Sequence, residues 1–152
     1  MERSDLAHGG GLFRHNVLCL FAAGFVSVLV FQNGAMAILH AIGLANQPFG
    51  YAATKPFGVP AVWSFAFWGG VWGLVFGLAE KYFPRGPMYY VFAFLFGAIA
   101  PVLVLWFIVA PIKGNPIAAG WNVQRMALQM LSHGCFGLGV GILVQAFSSK
   151  KP

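Results

Sequence analysis

Four apolar runs follow one another within 152 residues, at about 16–44, 61–82, 88–110 and 121–147, and little chain is left between them. A hydrocarbon core about 30 Å thick takes roughly 20 helical residues to cross, and each run is that long. In lipid every backbone N–H and C=O must find a partner, and a helix supplies it within its own segment. The chain is therefore read as an all-α integral membrane protein, a four-transmembrane-helix antiparallel bundle. Residues 1–15 read as a flexible tail and 148–152 as a second, short tail.

Composition agrees with lipid as the main solvent. Hydrophobic residues make up 59% of the chain and charged ones 8%, against roughly 25% charged in a soluble domain. The net charge of +6 does not point to nucleic acid, because the basic residues stand singly at the ends of apolar runs. There they read topology and anionic headgroups. Arg3, Arg14, Lys81, Arg85, Lys150 and Lys151 fall on one side, against Lys55, Lys113 and Arg125 on the other. That bias predicts a bacterial inner-membrane protein with both termini in the cytoplasm. Arg14, a hydrophobic stretch and Ala35-Met36-Ala37 imitate a signal peptide, but apolar character runs on to Leu44, so an uncleaved helix is expected.

The first run, about 28 residues or about 42 Å of helix, is longer than the bilayer needs and is expected to tilt, to bend near Gln32-Asn33-Gly34 or to project from the membrane. Pro101 should kink the third run. Tyr89, Tyr90 and Trp106 are expected at the membrane interfaces. Two Pro/Gly-rich stretches, 45–60 and 111–120, connect the helices on the side away from the termini.

Glycines recur every four residues in two runs: Gly69, Gly73 and Gly77, then Gly137 and Gly141. Such rows let another backbone come close, within one bundle or across a homodimer seam. The stretch Gly70–Leu78 matches Gly134–Ile142 at a separation of 64 residues, in the glycines, an aromatic and a leucine. A duplicated helix hairpin would produce that match, although the first and third runs do not match at the same offset.

The candidate polar site lies near the midplane. Arg125, Gln129 and His133 share one face of the fourth run at four-residue spacing, while Gln32, Asn33 and His40 lie on the first. At about 1.5 Å per residue, Gln32 and Asn33 fall about 16–18 Å below the outer boundary and His133 about 18 Å. These six residues permit a pocket between the first and fourth helices with Arg125 at its mouth, His133 bonding Asn33, Gln32 or Gln129. The competing reading is ordinary hydrogen bonding between membrane helices. A haem b held by His40 and His133 fits poorly, since the two differ by about 10 Å in depth.

No cofactor is required by the sequence, and no His/Cys cluster has metal-ligand spacing. Paired carboxylates, a Ser-His-Asp set and a phosphate loop are all missing, so enzymatic chemistry lacks its usual groups. Cys19 and Cys135 stand too far apart along their runs for a disulfide.

Lys55-Pro56-Phe-Gly-Val-Pro60-Ala-Val-Trp63-Ser-Phe65 resembles the loop after the first helix of the tryptophan-rich translocator proteins, five-helix binders of porphyrins and sterols. The resemblance ends with that dozen residues: four helices stand here, not five, and the loop falls on the other side. The FQNG-to-ILHAIG stretch followed by PFGVPAVWSFAFWGG is similar to uncharacterised small four-helix bacterial inner-membrane proteins, which implies no activity. The expected partners are membrane lipids and other membrane-protein subunits or a second copy of the chain. The expected role is an accessory subunit packing into a larger complex, with a small-ligand binder or transporter, including one for a quinone, as the alternative.

Overall fold

The computed structural model describes residues His15–Ser148, so most of both expected tails lies outside the described residues. Four helices are long and apolar enough to cross a membrane: α1 (Val17–Ala41), α2 (Ala61–Tyr82), α3 (Met88–Ile112) and α4 (Val123–Ser148). They form an all-α antiparallel bundle, and the chain is a multi-pass integral membrane protein. Its only sheet among the described residues is a two-residue ladder in the α1–α2 connection, β1 (Ala53–Thr54) against β2 (Val59–Pro60).

The ends follow local chemistry. Asn16 caps α1, its side chain accepting the Leu18 N–H at 2.9 Å. The helix stops at Ala41 rather than Leu44 because Gly43 takes φ +77, and its N–H and that of Leu44 bond back to the carbonyls of His40 and Leu39. Only glycine enters that left-handed cap without a Cβ penalty. Asn122 caps α4 by accepting the Arg125 N–H at 3.0 Å.

Two of the four long helices, α1 and α3, depart from regular geometry where the sequence warns of it. In α1, Val28–Gln32 is π-helical, just before Asn33-Gly34. In α3 the π-helical stretch is Leu105–Val109, four residues beyond Pro101 and just before Pro111. Neither proline can donate a backbone hydrogen bond, so the ladder widens between them.

Packing divides the bundle into two hairpins, α1 with α2 and α3 with α4. A Cβ added to Gly24 would stand 2.1 Å from the Gly69 carbonyl oxygen, and one on Gly73 would stand 2.2 Å from the Leu20 oxygen. In the second hairpin, a Cβ on Gly97 would meet the His133 oxygen and one on Gly137 the Ala93 oxygen, each at 2.2 Å. Gly70 lies under the ring of Phe21 just as Gly134 lies under that of Phe94. The second helices correspond at the 64-residue offset read from the sequence. The first helices correspond at 73, because the α1–α2 connection is nine residues longer than the α3–α4 connection. The two hairpins thus repeat one packing solution, which answers why the first and third runs failed to match at 64.

The seams between the hairpins differ. On one, Ser27 Oγ donates to the Phe136 carbonyl at 2.6 Å, and Gly139 leaves room for Ser27 and Phe31. On the other, α2 and α3 meet through rings: Phe96 packs edge-on against Trp72 and Phe76, and Phe83 against Phe76 and Tyr89. The core runs between these seams through Leu20, Ala23, Phe76, Phe136, Val140 and Val144.

Candidate functional site

The six expected site residues separate into two groups. The first belongs to α1 and the connection above it. Asn33 Nδ2 donates to the Val28 carbonyl at 2.8 Å, inside the π-helical stretch, and Asn33 Oδ1 accepts the Phe49 N–H at 2.9 Å. Phe49 has φ +54, and the chain folds back there onto the side of the helix. His40 is exposed, with Nδ1 3.0 Å from the Ala45 carbonyl. It borders an open cleft of about 450 Å³ lined also by Gln47, Pro48, Phe49, Gly50 and Tyr51. Gln32 is half-buried.

The second group belongs to α3 and α4. Trp106 Nε1 donates to Gln129 Oε1. The Gln129 backbone carbonyl accepts from Ser132 Oγ at 3.1 Å and faces His133 Nδ1 at 2.8 Å. A carbonyl can only accept, so His133 Nδ1 carries the proton in this arrangement. Of the three expected partners of His133, Asn33, Gln32 and Gln129, the one it meets is Gln129, through the backbone carbonyl four residues back on its own helix. Arg125 is exposed in the first turn of α4. Among the described residues no hydrogen bond joins the two groups, and no three His, Cys, Asp or Glu converge to hold a metal.

All five expected packing glycines, Gly69, Gly73, Gly77, Gly137 and Gly141, face other helices of the same chain. Trp106 and Tyr89 are buried at 6% exposure, and only Tyr90 of the three is exposed. Trp106 turns inward because Gln129 gives its N–H an acceptor, and Tyr89 because a carboxylate does the same for its hydroxyl.

That carboxylate is Glu80, and it marks a cluster that sequence reasoning missed. Glu80 ends α2 at 1% exposure. Tyr89 OH, from the start of α3, donates to its Oε1 at 2.7 Å. His15 Nε2, from just before α1, lies 2.9 Å from Oε2 and 3.2 Å from Oε1. Ser148, the last residue of α4, sets its Oγ 2.8 Å from His15 Nδ1 and donates to the Val144 carbonyl at 2.8 Å. One polar side chain from each helix end meets in one place. The available signal was a lone acid and a lone histidine at ends facing the same side, which placed them together only if neither was solvated.

The order Ser148–His15–Glu80 has the connectivity of a nucleophilic triad. The chain matches no known protein family, no curated protein and no solved structure. Its chemistry is carried by this geometry alone.

Proposed function

We propose that this chain is a non-enzymatic accessory subunit of a larger bacterial inner-membrane assembly, with both termini in the cytoplasm. One observation carries the reading. Ser27, Asn33, Gln129, Ser132 and His133 each bond within the fold, while large rings turn outward. Trp63, Phe65, Phe67 and Trp68, on the outer half of α2, are each at least half exposed, and Tyr51 and Phe57 of the adjoining connection are more exposed still. The glycine rows are consumed inside the chain, so a partner meets this aromatic face instead. Large rigid rings supply contact area at low entropic cost. The basic bias supports the orientation.

The test is purification from the native membrane in a gentle detergent. A stoichiometric membrane partner is expected, lost in the Trp63→Ala/Trp68→Ala double variant while helical content and insertion stay unchanged. A wild-type chain that runs alone as a monomer overturns the subunit role. A small molecule that accompanies that monomer shifts the reading to ligand binding, with the cleft beside His40 as the place to look.

A further inference from the structure

We propose that His15, Glu80, Tyr89 and Ser148 form a proton-operated clasp that holds the two helix hairpins together at the end carrying the chain termini. Two of its contacts cross between hairpins: Tyr89 to Glu80, and Ser148 to His15. The contact between His15 and Glu80 lies within the first hairpin and ties the crossing pair into one network.

Ser148 Oγ stands 2.8 Å from both the Val144 carbonyl and His15 Nδ1, so its one proton serves the carbonyl when Nδ1 carries a proton and serves Nδ1 when it does not. The Glu80 carboxylate accepts from Tyr89 and from His15 Nε2. With an imidazolium the buried carboxylate also has a cation beside it. Water reaches this group, since the His15 side chain is 12% exposed while that of Glu80 is 0% exposed. When the imidazolium gives a proton to water, the Ser148 hydroxyl turns to Nδ1 and the positive charge beside Glu80 is lost. The carboxylate then keeps its charge in an apolar shell with the pairing cation gone, and an uncompensated buried charge is strongly unfavourable. Separation of the helix ends, which admits water, relieves it.

The rest of the fold lets the hairpins move as units. Within each hairpin, glycines bring two backbones into direct contact. Between them, the α1–α4 seam is pinned by Ser27 and Phe136 near mid-helix, whereas α2 and α3 touch through rings that can slide. Rocking of one repeat against another is an established motion for membrane proteins built from paired repeats. Among the described residues, the titratable groups that face His15 are Glu80 from α2 and, through that carboxylate, Tyr89 from α3. Ser148 from α4 does not titrate. Lys81 lies over the ring of Tyr82 instead, 5.0 Å from its centroid.

The experiment uses the full chain in lipid nanodiscs, with Cys19 and Cys135 replaced by alanine and spin labels at Tyr82→Cys and Phe147→Cys. Both sites are exposed and lie on different hairpins. Double electron–electron resonance is recorded from about pH 5 to about pH 8.5, the range in which histidine changes charge. One short distance is expected at the acid end, and a longer population should grow to become the major one as pH rises. His15→Phe should show the longer distance at every pH. A single distance unchanged across the range in the otherwise wild-type chain overturns the proposal and leaves a static pin. A shift that persists in His15→Phe also overturns it, because the titrating group then lies elsewhere. The wild-type series decides even if the variant does not fold.

Discussion

Asn33 in the middle of a membrane helix accepts the backbone N–H of Phe49, sixteen residues along the chain, at 2.9 Å. The connection after α1 therefore does not stand off into water. It folds back past the end of the helix and is tied to a side chain eight residues, or about 12 Å, below Ala41. Irregular backbone at that level needs protein partners for its polar groups, and Asn33 supplies one. Replacing Asn33 by leucine should leave α1 intact and free the Phe49 amide. The expected cost is about 1 kcal/mol, the usual net worth of one such bond. Hydrogen exchange at residues 45–52 should accelerate, with the rest of the bundle unchanged. Equal protection in the variant would mean that the connection is held elsewhere.

The glycine contacts make a sharper demand. At Gly73 and Gly137 a methyl group would meet a backbone oxygen at 2.2 Å, and backbone cannot rotate aside as a side chain can. Gly73→Ala and Gly137→Ala should each destabilise the fold by about 1–3 kcal/mol, the range for overpacking a close contact. Gly34→Ala is the control, since nothing lies within 4 Å of its added methyl. It should be neutral or stabilising by up to about 1 kcal/mol through helix propensity. Thermal unfolding of the three variants in one detergent ranks them. A ranking with Gly34→Ala worst would contradict the packing.

The contrast between these glycines and the polar residues explains what could be read in advance. Helix positions follow from the length and apolarity of the runs, which depend on no partner. The inward side of Gly69, Gly73, Gly77, Gly137 and Gly141 follows from four-residue spacing, again a property of one helix. His133 and Asn33 were a different matter: depth put them in one layer, but depth says nothing about rotation around the bundle. Each then met a backbone acceptor on its own helix before any partner across the seam. Glu80, His15, Tyr89 and Ser148 were illegible for a related reason. They sit at four separate helix ends, and only the antiparallel closure of the bundle brings those ends together.

His133 tests how much depth alone is worth. Its one close bond goes to the Gln129 carbonyl, which Ser132 also satisfies. His133→Leu should therefore cost less than about 1–2 kcal/mol, as bonds between and along membrane helices usually do. Insertion and assembly should be unaffected. Loss of a bound partner or of a co-purifying small molecule in this variant would give His133 a role that its contacts do not show.

Orientation is open to a direct check. Reporter fusions after Asn46 and at the C-terminus should report opposite sides, with the C-terminus cytoplasmic, because six basic residues flank that side and three the other. Lys81→Glu with Arg85→Glu weakens the bias and should produce mixed orientation. A periplasmic C-terminus in the wild-type chain would invert the assignment and place the His15–Glu80 cluster on the outside.

The last expectation concerns the turn that leads into α4. Ala118, Ala119, Gly120 and Trp121 have φ of +48, +55, +67 and +58, a full left-handed turn made mostly of residues that disfavour it. Each non-glycine residue there costs roughly 1–2 kcal/mol relative to a right-handed conformation. Ala118 offsets its share by burial, packed at 0% exposure with Val102 and Trp106. Ala119 is only half-buried and has less to lose. Ala119→Gly should thus stabilise the protein by up to about 1 kcal/mol, the relief of the left-handed strain less the extra entropy of an unfolded glycine. Ala119→Val should destabilise it, since a β-branched side chain is the least tolerant of positive φ. Ala118→Gly should gain less than Ala119→Gly because its methyl fills the space beside Trp106. Chemical unfolding of the three in the same micelle separates strain from packing, and a destabilised Ala119→Gly would show that Ala119 does not adopt the left-handed conformation in the folded protein.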